Sequence, residues 1–485
     1  MKYYTKLFDK VKGNFENLFK IFEKDLKKPK YKLTIDMING IVASKSVRLT
    51  QIARTLNEPI LLKKTVERLS NSLSSCDNNV RTVIEKNYLD YVSEFVEEDT
   101  VISVDNSDIV KSNSTKLESL GKVRDGSTKE INVNGYFTSE AIALSNKRKE
   151  PISLLTRLYS QTEKEFISEN DENEKLLRSL GESLGSKGIY VFDRGFDSND
   201  NFKYFLEDKY NRKFLIRLKN NRHVKIKGKK MSLYSAIDYM NFEKIKFVTC
   251  HNKEIILEMG SIEITLPEKE IAEHIVRLVM IRKDDTIMYL ISNITDVDIV
   301  AKSIYETYLD RWKIEEYFKF KKQQYDLEKS MVRTLNGLRM IQLLVMIITG
   351  FMSILSENKN ETAIYNSIIK EAQPIKKEEK VKLHIYRVAD GISKIFNKLN
   401  TRIRDYFVNP TTKGFSKQYN LFNPYYIKAI SFCPWKNGET FFLHIFQNIL
   451  LSLHKYGIII VDCYNFKNFK FFYEKRIIIW VKYLL

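Results

Sequence analysis

Two short apolar runs, TVISV before Asp105 and IYVF before Asp193, each end on an acidic residue. This pairing constrains the fold more than any other feature. Apart from Ser103, both runs are β-branched or aromatic and followed by an acid, the pattern of a buried strand. Between and after them, turn and helix signals alternate. GKVRDGSTKEINVNGYF has a turn at Asp125-Gly126, EAIALS reads as a strand, and DENEKLLRSLGESL reads as a helix. SNDNFKYFLEDKY is a helix opened by the N-cap Ser198, and KFLIRLK is a further strand. Mixed strands and helices of this kind predict an α/β core, with strand-end carboxylates facing the crevice where such sheets place their ligands.

The remainder of the chain frames that core. Residues 1–95 read as helical. Within them the segment from Thr50, broken at Glu58-Pro59, resembles a helix-turn-helix reader of DNA with Lys63, Lys64 and Arg68 on its second helix. A plain helical hairpin with solvated charges fits the same pattern. The expected division is 1–95 helical, 96–219 core, 220–297 a mostly β insertion, 298–425 the rest of the core with C-terminal helices, and 426–485 an atypical tail. Long helices are expected over 298–330 and 333–356. The apolar run Met340–Leu355 has 16 residues, short for a membrane span, and reads as a buried core helix. The tail, crowded with Phe, Ile, Tyr and Lys, reads either as a packed helix and strand or as a frameshifted extension.

Charge narrows the partners. Eighty Lys and Arg against 61 Asp and Glu leave a formal charge of +19. That excess favours a polyanion, nucleic acid before a membrane surface, because each neutralised phosphate releases counterions. A Lys-rich composition from AT-rich DNA gives the same excess. Cys76, Cys250, Cys433 and Cys463 are scattered without a Cys-x-x-Cys pair, so neither a disulfide framework nor a zinc site is suggested and a cytoplasmic location is expected.

A third carboxylate joins the two strand-end acids. In YLDRWKIEEYFKFKK, Tyr308, Arg311, Glu315 and Lys322 stand at offsets of zero, three, seven and fourteen. At about 100° per residue these fall within roughly 60° of one helix face. Salt bridging between Arg311 and Glu315 explains two of the four and leaves Tyr308 and Lys322. Asp105, Asp193 and Glu315 converging would repel one another unless a hard cation such as Mg²⁺ neutralised them. Two such ions suit phosphodiester cleavage. Taken singly each acid is weak evidence, since strand-end Asp residues commonly serve as turn or cap residues, and Asp108, Asp197 and Glu316 are close rivals.

The spacing Y-x2-R-x3-E-x6-K resembles the YREK signature of DDE transposases of the insertion sequence 4 family. VDNSDIVK and VFDRGFDS resemble the segments carrying that family's two Asp residues, and KFLIRLK its following basic strand. The resemblance spans roughly residues 40–425. It implies a ribonuclease-H-like catalytic core interrupted by a β insertion, and two Mg²⁺ ions (Mn²⁺ as a substitute) held by Asp105, Asp193 and Glu315. It further implies Tyr308, Arg311 and Lys322 gripping a DNA end, with Arg194, Arg217 and Lys219 as secondary backbone contacts. The partners implied are double-stranded transposon ends with terminal inverted repeats, target DNA, and a second copy of the chain in the synaptic complex. Relatives stack a flipped base on an aromatic residue, often a Trp in the insertion; here the Trp residues are 312, 435 and 480, which leaves Tyr289 as a substitute. A nuclease of the same fold without strand transfer shares the metal site, and a non-enzymatic DNA-binding protein leaves the three carboxylates unexplained.

Overall fold

The computed structural model describes residues 2–146, 148–248, 254–294, 301–357, 362–373, 384–399 and 407, and the backbone of three strands beyond 458. Five helices open the chain: α1 (Lys2–Glu23), α2 (Lys28–Ser44), α3 (Leu49–Leu56), α4 (Leu62–Ser74) and α5 (Asn78–Val92). Then come β1 (Val101–Val110), β2 (Gly121–Val123), β3 (Val133–Leu144), β4 (Pro151–Tyr159), α6 (Glu169–Leu184), β5 (Ile189–Phe192), α7 (Asn199–Leu206) and β6 (Lys213–Arg217). A β-rich stretch follows: β7 (His223–Ile226), β8 (Lys229–Ser232), β9 (Glu243–Val248), β10 (Glu254–Ile264), β11 (Val276–Lys283) and β12 (Thr286–Ser292). The helices α8 (Ala301–Leu309), α9 (Lys313–Gln324), α10 (Leu335–Glu357), α11 (Thr362–Glu371) and α12 (His384–Asn397) complete the unit that runs to Thr411. A second unit, from Thr412, contains β13 (Ile459–Tyr464), β14 (Asn468–Phe472) and β15 (Ile478–Lys482), paired antiparallel in that order. The expected choice for the tail over 426–458 lies outside the described residues.

The core is a mixed sheet. In spatial order β4-β3-β1 are antiparallel neighbours, and β1-β5-β6 run parallel. This is a mixed α/β arrangement, as the sequence predicts for the core. One face is covered by α8 and α9, which bury Ile304, Ile314 and Tyr317 against Val101, Val191 and Leu215. On the opposite face Ile102, Tyr190, Phe192 and Phe214 join the larger core with Leu176, Leu180 and Phe205 from α6 and α7. Strand side chains alternate faces, so Val101, Ser103 and Asp105 point the same way, as do Val191 and Asp193. Both acids therefore project toward α8 and α9.

Two expectations need adjustment. The stretch 220–297 is mostly β, yet β12 pairs antiparallel with β6, and β11, β10 and β9 continue the core sheet outward to ten strands. A pattern of apolar and charged runs indicates strands but does not say with which neighbour they pair. Also, the helix expected over 298–330 is broken: residues 310–312 form a 3-10 turn between α8 and α9, and another occupies 327–329. Helix α10 starts five residues before the apolar run that announced it. It is long and apolar enough to cross a membrane, but 94% of its most apolar stretch is buried, much of it against β4 and α12.

Candidate active site

The parallel pairing of β1 with β5 matches Val101 to Ile189 and Ser103 to Val191. Continued two residues, that register sets Asp105 beside Asp193. Strand β1 delivers the first acid on a paired, rigid backbone; the second stands at the strand end, where the chain turns through residues 194–196. Opposite them, α9 carries Glu315 in its first turn.

The break at 310–312 places Arg311 between the acids. Its guanidinium donates to Asp105 Oδ2 at 3.0 Å and to Glu315 Oε1 at 2.9 Å. The Tyr308 hydroxyl donates to Asp193 Oδ1 at 3.1 Å. Lys322 bonds Asp108 at 2.9 Å and Glu328 at 3.0 Å. Of the four residues read as one helix face, Tyr308, Arg311 and Glu315 meet Asp105 and Asp193, whereas Lys322 bonds a different pair of acids, Asp108 and Glu328. Burial pushes the Asp105 carboxyl up to about 6 against the pull of Arg311 and of the Asn106 N–H, with Asp193 and Glu315 adding to the rise.

The crevice is built to hold positive charge between carboxylates. All its donors are carboxylate oxygens, which suit a hard divalent ion. A cation of the chain, the Arg311 guanidinium, already bridges two of them. Among the described residues no three His, Cys, Asp or Glu side chains stand close enough together to hold a metal as they are, and Arg311 is the group interposed.

Residues 115–349 match the family model of the transposase DDE domain, a span that includes Asp193 and Glu315 and begins ten residues after Asp105. That match covers a little under half of the chain. No curated protein matches the sequence. Among solved structures it is similar to a piggyBac transposase synaptic complex with hairpin DNA, at 12% identity and a TM-score of 0.44, covering 85% of this chain and 83% of that one. At that distance the likeness bears on no individual residue. The activity that goes with a transposase DDE domain is DNA cleavage and strand transfer in DNA transposition, and such enzymes generally use divalent metal ions.

Around the crevice the rival acids have other bonds. Asp197 is buried and accepts from the Lys219 N–H at 2.6 Å and from Arg222 Nε at 2.8 Å. Asp108 accepts from Lys322 and from the Gly126 N–H at 3.2 Å. Glu316 pairs with Lys313 at 3.1 Å. Of the secondary basic residues, Arg217 lies close enough to Tyr308 to influence its hydroxyl, Arg194 is exposed on the turn after Asp193, and Lys219 caps Asp197 through backbone and side chain. Tyr289 is only 6% exposed within β12, too enclosed to receive a base; Trp312, next to Arg311, is 59% exposed. In the helical hairpin, Arg68 is bound to Asp36 and Glu58, both at 3.1 Å, and so ties α4 to α2.

Sequence reading missed two residues at the heart of the site. Glu140 on β3 is the cross-strand partner of Asp105, and Lys321 on α9 pairs with it; they are 1% and 2% exposed. The available signal was a lone Glu inside the apolar run EAIALS. Lys321 gave none, because in KFKKQQ it looks like one of several solvated charges.

Proposed function

We propose that this chain is a cut-and-paste transposase of the insertion sequence 4 type, cleaving double-stranded DNA at terminal inverted repeats and joining the freed ends to a target. The observation that carries this is the convergence of Tyr308, Arg311 and Glu315 on Asp105 and Asp193, with the spacing of the YREK signature. Asp105, Asp193 and Glu315 would hold the divalent ions, two of Mg²⁺ or Mn²⁺, and such ions would supply activation of an attacking oxygen and stabilisation of a leaving one at phosphorus.

The protein's own groups do the rest. Arg311 and Lys322 exchange carboxylate partners for phosphate oxygens as DNA enters, Arg as a bidentate fork and Lys as a point charge. Tyr308 offers its hydroxyl to the same strand. Exposed Arg194, with Arg217 and Lys219 around the ends of β5 and β6, extends the path of the backbone away from the acids. Two ends must be cut in concert, so the working form is a homodimer assembled on DNA, acting in the cytoplasm at the nucleoid.

The test is Mg²⁺-dependent cleavage of linear DNA carrying both ends of the encoding element, comparing wild type with Glu315→Gln on a denaturing gel. Boundary cuts and joined products that vanish in the variant are expected. Cuts without joined products would leave a nuclease, and cleavage that survives Glu315→Gln would mean the acid is misassigned.

A further inference from the structure

The sheet row that carries the two Asp residues does not stop at them. In register, Asp105 pairs with Glu140 and Glu140 with Thr156, so Asp193, Asp105, Glu140 and Thr156 form one polar line across four strands. Glu140 is an acid on the face that α9 covers, and every donor it needs comes from the helices. Lys321 of α9 forms a salt bridge to Oε2, and the Tyr317 hydroxyl donates to the same oxygen at 2.9 Å. Gln342 of α10 donates to Oε1 at 3.0 Å and to Thr156 Oγ1 at 3.0 Å. The Lys321 ammonium also lies 4.5 Å from the centre of the Tyr317 ring.

A buried ion pair of this kind is a poor source of stability, because desolvating both charges cancels most of their attraction. Its value is directional. Besides this pair and the Tyr317 hydroxyl, α9 meets the sheet through Ile314 and the Tyr317 ring, which are apolar and tolerate small slides, and through Lys322 on Asp108 of β1, a partly exposed pair whose long side chain can follow such a slide. The 3-10 turn at 310–312 also shifts the phase of α9 relative to α8, so the face α9 presents is not set by α8 alone. A slide of one residue would move Glu315 by about 1.5 Å and turn it by about 100°. The same slide would pull Lys321 off Glu140 and bury both charges unpaired.

We infer that Glu140 and Lys321 are a positioning pair, fixing α9 on the sheet so that Glu315 and Arg311 come opposite Asp105. The inference rests on the transposase reading, and its test separates the two. Single substitutions strand a buried charge and are expected to cost folding. The informative variant is therefore Glu140→Gln with Lys321→Met, which keeps volume and removes both charges. It is expected to retain its melting temperature to within a few degrees and to bind transposon-end DNA as wild type does. Its single-turnover cleavage at saturating DNA should fall about 100-fold, the scale of an ångström-sized misplacement. The Mg²⁺ concentration giving half-maximal rate should rise about tenfold, as is usual when a group that orients ligands is lost. Mn²⁺ binding to the DNA-free protein, read by electron paramagnetic resonance, should weaken in parallel. A merely structural role would lower the melting temperature and leave both metal readouts where they were. A folded double variant with wild-type cleavage and wild-type Mn²⁺ binding overturns the positioning role. If wild type itself cleaves none of the end substrates, the transposase reading fails, and weakened Mn²⁺ binding in the variant would still uphold the pair.

Discussion

Arg311 is the residue on which the site turns. It bridges Asp105 and Glu315 and is itself largely enclosed, at 11% side-chain exposure. Without it, two carboxylates face each other beside Asp193 with nothing to balance them, and like charges at this range are repulsive. Arg311→Ala should therefore destabilise the metal-free protein by about 1–3 kcal/mol, the range for stranding charged hydrogen-bond partners. Divalent ions should then restore more stability to the variant than they add to wild type, because no guanidinium competes for the same oxygens. Melting curves in EDTA and in millimolar MnCl₂ would check this. Equal shifts in both proteins would mean that Arg311 and the metal do not share a position. Lys322→Gln belongs to a different class. Its partners Asp108 and Glu328 are joined to the rest of the chain through the Gly126 and Val110 N–H groups, so the stability loss should be smaller and DNA-end affinity should carry the effect.

At the scale of elements, buried acids decide how helices meet the sheet. Glu150, at the start of β4, is 1% exposed and accepts from the His384 and Ile385 N–H groups in the first turn of α12. Burial outweighs those donors and pushes its carboxyl from 4.5 up to about 7. A folded value raised above the unfolded one contributes stability that is complete below about 4.5 and is lost as pH rises through about 7. Glu150→Gln removes that dependence. Between pH 4.5 and 7 the stability of wild type should fall relative to the variant by on the order of 2 kcal/mol, measured by urea unfolding at several pH values. Parallel pH profiles for the two proteins would refute it. Elsewhere Gly350 lets α10 approach β4 and α5: a Cβ there would meet the Tyr88 hydroxyl at 1.9 Å and Ser153 Oγ at 2.7 Å. Gly350→Ala should cost about 1–3 kcal/mol through overpacking, with unfolding midpoints as the check.

These elements also show what a sequence can disclose. The strands before Asp105 and Asp193, the cap at Ser198 and the buried α10 were all legible, because each depends on a local pattern of polarity or on one side chain. The convergence of Tyr308, Arg311 and Glu315 on the two Asp residues was anticipated from spacing, although the break at 310–312 was not. Such a turn leaves little trace where every residue from Tyr308 to Lys313 is an ordinary helix former. The pairing of β12 with β6 was beyond reach, since partner choice is a long-range fact. Glu140 and Lys321 were hidden for a related reason: each charge is explained only by the other, 181 residues away.

For the whole molecule, ten strands in one sheet mean that the β-rich stretch extends the surface around the site. Its first hairpin, β7–β8, leaves β6 just past the site and turns through Lys227 and Gly228, both with positive φ as a tight two-residue turn requires. From Lys219 to Lys230 the chain has six Lys or Arg and no acid. Arg222 is held by Asp197 and Asn199, whereas Lys227, Lys229 and Lys230 are exposed. A strip of exposed cations beside the proposed cleavage site should act on the backbone without reading sequence. Replacing Lys227, Lys229 and Lys230 together by Gln should then weaken binding to end DNA and random DNA alike. It should also reduce the slope of log K against log salt by roughly 2–3, about 0.9 for each phosphate that is no longer neutralised. Binding titrations between low and physiological salt would measure it. A slope that stays at the wild-type value would place the DNA off this hairpin and confine its path to the face carrying Tyr308, Arg311 and Lys322. A loss specific to end DNA would instead make the hairpin a reader of the terminal repeat, because a purely electrostatic contact cannot discriminate between sequences.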